Sequence, residues 1–152
     1  MMELLHASGE TVKFPQIRKS QNTKDFSWGF YCTSSYEQAK RWAKRNRKTP
    51  TINYYTYKPN SELKVLKFED INEEWLDFIA ACRSGKVHTY DIVEGPMADD
   101  QIWDWVKDYL NGRISRAAFR ELAKFNHATH QISFHTLSAI ECLTFQRSEV
   151  LK

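Results

Sequence analysis

Cysteine, glycine and proline are all scarce in this chain, at three, five and four of 152 residues. Cys32, Cys82 and Cys142 stand far apart and odd in number, and no CxxC or Cys/His pair has metal-ligand spacing. That excludes a disulfide-stapled scaffold and a zinc module, and it suits reduced thiols in a cytoplasmic protein. So little glycine and proline, with no low-complexity tract, excludes collagen-like and compositionally disordered classes. No internal repeat is visible, so no solenoid is expected. No stretch approaches the roughly 20 apolar residues of a membrane-spanning helix. Met1 to His6 lacks a basic region followed by an apolar one, so no secretory signal is expected. Charge of either sign is also modest. The net value is +3 and the isoelectric point about 8.7, too little by itself to argue for a nucleic-acid binder but compatible with an anionic dinucleotide.

What the chain has is apolar and aromatic substance, 41% and 14%, ample for the core of a single domain spanning residues 1–152. Met2 to His6 reads as a first strand, and residues 9 to 28 as a long polar loop, a length that in a small domain points to function or motion. Phe30 to Thr33 reads as a strand. Ser35 with Gln38 has capping-box spacing before a helix whose apolar face holds Tyr36, Ala39, Trp42 and Ala43. Its other face carries Lys40, Arg41, Lys44, Arg45, Arg47 and Lys48, which reads first as a solvated surface.

Further strands are expected at Thr51 to Tyr57, Leu63 to Phe68, Tyr90 to Glu94 (stopped by Gly95-Pro96), Gln131 to His135 and Thr144 to Val150. Helices are expected after the caps Asn72, Asp99 and Ser115, the last running through Phe125, with a short one over Thr136 to Leu143. Strands and helices mix without regular βαβ alternation, so the fold class is α+β.

Three islands stand out for chemistry. Leu5-His6-Ala7-Ser8 ends the first strand. Trp28-Gly29-Phe30-Tyr31-Cys32-Thr33 feeds the helix that reaches Trp42. Gln131-Ile132-Ser133-Phe134-His135-Thr136 forms a late strand. A His alone is more often a satisfied strand cap than a ligand, and an aromatic helical stripe is more often core than a cofactor box. Gly29 suits a bulge or a close backbone approach.

Their order resembles the ADP-ribosyltransferase superfamily, whose triad is His, Tyr, Glu. In finer detail the chain is similar to a small bacterial ADP-ribosyltransferase-like family, often suspected of being toxins. The matching stretches are Leu4 to Ser8, Asp25-Phe26-Ser27-Trp28-Gly29-Phe30-Tyr31-Cys32-Thr33, Tyr90-Asp91-Ile92-Val93-Glu94-Gly95-Pro96 and Gln131 to Thr136, with Ala7 where that family has Gly. The resemblance implies split mixed and antiparallel sheets with peripheral helices, and NAD as substrate. His6 would bind the adenine-side ribose, Tyr31 and Trp42 would sandwich nicotinamide, and Gln131 would stand at the catalytic Glu position. Ala7, Ser8, Gly29 and Phe30 would line the nucleotide, and Arg18, Lys19 and Lys24 would reach pyrophosphate.

A neutral amide can accept or donate a hydrogen bond but cannot serve as a base near neutral pH. Proton handling would then fall to His130, His135, Glu141 or the substrate's own nucleophile. The implied partners are a macromolecular acceptor and an antitoxin protein, with no metal and no membrane. Two other functions fit the same residues: a catalytically degenerate module that binds a nucleotide or a protein, and a nucleic-acid modifier drawing on the basic helix.

Overall fold

The computed structural model describes residues 2–18, 25–45, 47–124 and 129–152. Seven strands and five helices occur among them, in the order β1 (Met2–Ser8), β2 (Phe30–Cys32), α1 (Tyr36–Ala43), β3 (Thr51–Tyr57), β4 (Val65–Lys67), α2 (Glu73–Arg83), β5 (Ile92–Pro96), α3 (Asp100–Leu110), α4 (Arg116–Ala123), β6 (His130–Phe134), α5 (Leu137–Ile140) and β7 (Leu143–Val150). The fold is α+β, as the irregular alternation predicts. Among the described residues no helix is long and apolar enough to cross a membrane.

The strands form two sheets. One is antiparallel, in the order β1-β3-β7. The other is mixed, in the order β2-β6-β5-β4, with only β4 and β5 parallel. The edge strands β1 and β2 meet at one point, where Leu5 and Thr33 exchange backbone hydrogen bonds of 2.8 and 2.9 Å.

Side-chain alternation then sorts the core into three layers. Leu4, Phe30, Cys32, Tyr55, Ile92, Ile132 and Phe134 pack between the sheets. Leu5, Ala7, Ile52 and Tyr54 face the opposite way from the first sheet and take Ala39 and Ala43 of α1. Val93 of the second sheet faces a cluster built on Trp75, Leu76, Ile79, Ile102 and Phe119 from α2, α3 and α4, with Phe26 and Phe68 from the segments before β2 and after β4. Helices therefore cover both outer faces.

The helix starts follow the capping chemistry. Ser35, Asn72, Asp99, Ser115 and Thr136 each accept a backbone N–H three residues on. Ser35 does so, but the Gln38 side chain accepts from Arg41 at 3.0 Å instead of closing a capping box. The strand expected to stop before Gly95 runs through Pro96. Pro96 has no N–H, but it ends the strand, and its carbonyl accepts the indole N–H of Trp75 at 2.9 Å. The strand expected over Leu63 to Phe68 shortens to β4, because Leu63 closes a turn on Asn60 and the ladder ends at Phe68, whose amide donates to the Glu94 carbonyl at 2.8 Å while its side chain covers Gly95. The helix after Ser115 ends at Ala123, and Phe125 lies outside the described residues.

Gly95 is where sheet and helical layer touch most closely. A Cβ there would lie 2.9 Å from Cβ of Phe68 and 3.3 Å from the Phe68 carbonyl. Gly95→Ala is expected to cost about 1–3 kcal/mol by overpacking a site walled by backbone. Urea unfolding at neutral pH checks this, and a cost below the measurement error would mean that the Phe68 segment moves freely.

Candidate functional site

Of the residues singled out in the sequence, Gly29, Tyr31, Gln131, Ser133 and His135 gather around one turn. Asp25 to Gly29 crosses the face of the second sheet that looks toward α2 and α3. The register pairs Tyr31 with Ser133 on β6, and Ser133 in turn with Val93 on β5. Gln131 lies two residues along β6, so Tyr31, Ser133 and Gln131 share this face.

Side chains hold each link of the turn. The Asp25 carboxylate, 4% exposed, accepts from Arg83 Nε and Nη2 at 3.0 and 2.5 Å, from the Ala98 amide at 2.8 Å and from Gln131 Nε2 at 3.1 Å. Arg83 also lies over the Trp103 ring, 4.2 Å from its centroid. The Phe26 carbonyl accepts from His88 Nε2 at 2.8 Å, the Ser27 carbonyl from the Tyr31 hydroxyl at 2.6 Å, and the Trp28 carbonyl from His135 Nδ1 at 2.8 Å. Tyr31 hydroxyl also accepts the Phe26 amide at 3.0 Å. Burial drives the Tyr31 phenol well above its ordinary pKa, so it stays a donor. Ser27 takes a left-handed φ of 75°, a conformation that costs free energy in a non-glycine residue and persists because these bonds fix it.

The two histidines are neutral, and their partners fix the tautomers. His88 donates through Nε2 and accepts the Tyr90 amide on Nδ1 at 3.1 Å. His135 donates through Nδ1, so its Nε2, 2.7 Å from Ser133 Oγ, is the acceptor. The Ser133 hydroxyl then donates to that nitrogen in preference to the Val93 carbonyl at 3.1 Å. Burial, with His88 at 4.3 Å, pushes His135 down to about 4, and burial lowers His88 as well. A buried serine beside an oriented imidazole has the outline of a nucleophile–base pair, but Ser133 is 0% exposed and no substrate reaches it.

Each expected site residue has a definite place. His6 Nδ1 donates to the Tyr31 carbonyl at 2.6 Å, and its ring stacks on Phe30 at 3.9 Å, on the inter-sheet side. His6 and Tyr31 thus meet through the Tyr31 main chain, while their rings lie on opposite sides of β2. Tyr31 does not face Trp42. Its ring is covered by Phe26, stacked at 6.4 Å, and by the edge of His135 at 6.3 Å. Trp42 packs with Leu5, Ala7 and Ile52 beneath α1, so the pair forms no ring clamp.

Gly29 does allow a close approach, but to the protein itself: a Cβ there would lie 2.7 Å from the His135 ring. Ala7 and Phe30 are buried core, and Ser8 is half-buried, its hydroxyl accepting the Glu10 amide. Arg18 is exposed in a 4.0 Å ion pair with Glu10, and Lys19 and Lys24 lie outside the described residues. His130 and Glu141 are exposed.

Sequence reasoning missed Arg83 and His88, and it read Asp25 only as part of a motif. The available signal was that Asp25 opens the Asp25 to Thr33 stretch and carries the one charge in it. Among the described residues no group of His, Cys, Asp and Glu could hold a metal. A cleft of about 830 Å³, within the size range of small-molecule sites, opens at the Pro96 and His130 ends of β5 and β6. Glu69 to Glu74, Arg120 and Lys124 also line it, whereas His6 and Tyr31 do not.

Residues 2–145 match the model of a family described as "Protein of unknown function (DUF3990)", and the chain belongs to that family. No curated protein and no solved structure matches it.

The His88–His135 pair makes the turn acid-sensitive. Folding lowers both pKa values, so the unfolded chain binds the extra protons. The stabilisation is complete above the unfolded value near pH 6.5 and is lost as pH falls toward about 4, a change worth up to about 3 kcal/mol for His135. Urea midpoints at pH 7, 5.5 and 4.5 are expected to fall more steeply in the wild type than in His135→Asn, whose amide keeps a donor for the Trp28 carbonyl. Parallel slopes would count against the assignment.

Proposed function

We propose that this protein is an ADP-ribosyltransferase-like domain that uses NAD as substrate, transfers ADP-ribose to a macromolecular target, and acts as an intracellular toxin or effector with an antitoxin partner. The observation that carries this reading is that the topology brings His6, Tyr31 and Gln131 onto neighbouring strands, with the Tyr31 and Gln131 side chains on one face and the His6 ring on the other. The first two are bonded at the junction of the sheets, and the third lies two register positions along the neighbouring strand. The motifs that resemble the family, Tyr90 to Pro96 and Gln131 to Thr136, are also neighbours: β5 pairs with β6, and the Thr136 hydroxyl donates to Asp91 at 2.7 Å.

The residues fit the ribose better than the ring. Cleavage of the nicotinamide–ribose bond leaves the electron pair on the departing nicotinamide and positive character on the ribose C1′. A nucleophile of the acceptor supplies the new bond and releases its proton to solvent. In this reading Gln131 accepts from a hydroxyl of the nicotinamide-side ribose, and His6, its tautomer set by the Tyr31 carbonyl and its ring on the other face of β2, binds the adenine-side ribose. Tyr31 supports the turn from below and does not stack on nicotinamide, because Phe26 and His135 already cover its ring.

A specific observation also favours the non-catalytic module of the same fold. The Tyr31 hydroxyl makes two internal hydrogen bonds, and His135 fills the space beside Gly29. Such a closed surface suits recognition of a partner without chemistry.

Calorimetry with NAD and nicotinamide release in cell extract separate the two. The transferase reading expects measurable binding and slow release. Gln131→Ala and His6→Ala should each lower release by about tenfold or more, with folding retained by circular dichroism. Binding without release or transfer would favour the module, and no response to millimolar NAD would reject the nicotinamide site.

A further inference from the structure

We propose that Asp25 is a positioning residue for Gln131: it turns the amide so that Oε1 faces the substrate ribose, and it lends that oxygen the negative character a catalytic carboxylate would have. This inference rests on the NAD reading above. A carboxylate held by a guanidinium and a backbone N–H is an acceptor, so Gln131 presents Nε2 to Asp25 and Oε1 points the other way. Oε1 has no hydrogen-bond partner among the described residues. No fully buried side-chain oxygen or nitrogen among them is partnerless, so Oε1 keeps an opening to the surface. It is an available acceptor in a cluster whose other members are satisfied.

An amide that donates to an anion in a low-dielectric site is polarised toward its oxygen. The charge on Asp25 therefore acts at one remove on the C1′ centre. The Gln131 amide accepts a hydrogen bond from the ribose 2′-hydroxyl and takes no proton. Arg83, Ala98 and Trp103 hold the carboxylate in place and keep it from the sugar itself.

Asp25→Asn, Gln131→Glu and the double variant test this, with nicotinamide release followed against pH, NAD affinity by calorimetry, and melting temperature against pH. Asp25→Asn is expected to lower release about tenfold while changing NAD affinity less than about threefold. Gln131→Glu places two carboxylates where Nε2 and Oδ2 now stand 3.1 Å apart. The two carboxylates cannot both stay ionised there, so the introduced carboxyl should titrate above the ordinary carboxylate range and add a pH transition, absent from the wild type, to both release and melting. The double variant exchanges donor and acceptor at this contact but turns the new amide donor toward the Ala98 N–H as well, so it should recover release only in part, to clearly above Asp25→Asn, without the new transition.

Unchanged release in Asp25→Asn, a double variant no better than Asp25→Asn, or a Gln131→Glu melting profile parallel to the wild type would each overturn the proposal. Should Asp25→Asn fail to fold, Gln131→Glu decides alone, since it keeps the Asp25–Arg83 pair. Wild-type protein that neither binds NAD nor releases nicotinamide overturns the underlying reading and the catalytic role with it, while the melting profile still reports the Asp25–Gln131 contact.

Discussion

One buried carboxylate organises this molecule. Asp25 collects a guanidinium from α2, a backbone amide from the entry to α3 and a side-chain amide from β6. Three elements far apart in sequence are tied at one atom group. Desolvating an ion pair costs about as much as its attraction returns, so the pair contributes specificity more than net stability. Removing one partner is another matter, because the remaining charge would be stranded in a cluster that includes the fully buried Phe26 and Trp75. Arg83 keeps part of its surface in solvent and lies on Trp103, which lowers the desolvation of the cation while leaving the anion enclosed.

The turn that follows Asp25 depends on this anchor. Three consecutive carbonyls, those of Phe26, Ser27 and Trp28, would be buried without ladder partners, a cost of about 1–3 kcal/mol each. His88, Tyr31 and His135 supply the missing donors. The same bonds hold Ser27 in its left-handed conformation and bring Gly29 against the His135 ring. His135 also takes the Ser133 hydroxyl, so a pair that resembles catalytic machinery serves to close the turn on the sheet. Both rings act as neutral donors with fixed tautomers, which is why burial and acid sensitivity come together here.

Much of the fold was legible in the sequence. The β-branched and aromatic composition of Thr51 to Tyr57, the alternation of Gln131 to His135, and the caps Ser35, Asn72, Asp99, Ser115 and Thr136 are local chemistry and lie where expected. Local rules failed where a tertiary contact intervened. Gly95 and Pro96 read as a stop, but Phe68 and Trp75 give the strand reasons to continue. Tyr31 and Trp42 read as a ring clamp because the family resemblance implies one. In the structure the alternation of β2 sends Tyr31 toward α2 while α1 carries Trp42 to the far side of the first sheet. The roles of Arg83 and His88 were not legible, since their partners lie 58 and 62 residues away and no periodic pattern marks them.

In the transferase reading proposed above, an amide at position 131, where the superfamily it resembles has a carboxylate, takes its meaning from this geometry. A glutamate there would face Asp25 across a hydrogen-bond distance, and two unscreened negative charges cannot both persist in a buried site. With Asp25 fixed by Arg83 and Ala98, glutamine is the residue of that shape which satisfies Asp25 and still leaves an acceptor directed outward. Seen this way Gln131 is not a lost glutamate. The charge has moved one residue inward, onto a chain segment that the rest of the turn holds rigid. It can act on a substrate only through the amide, as a fixed field and not as a base. Under the transferase reading proposed above, such an arrangement would favour holding and polarising a sugar over activating water, the property that directing ADP-ribose to an acceptor instead of hydrolysing NAD requires.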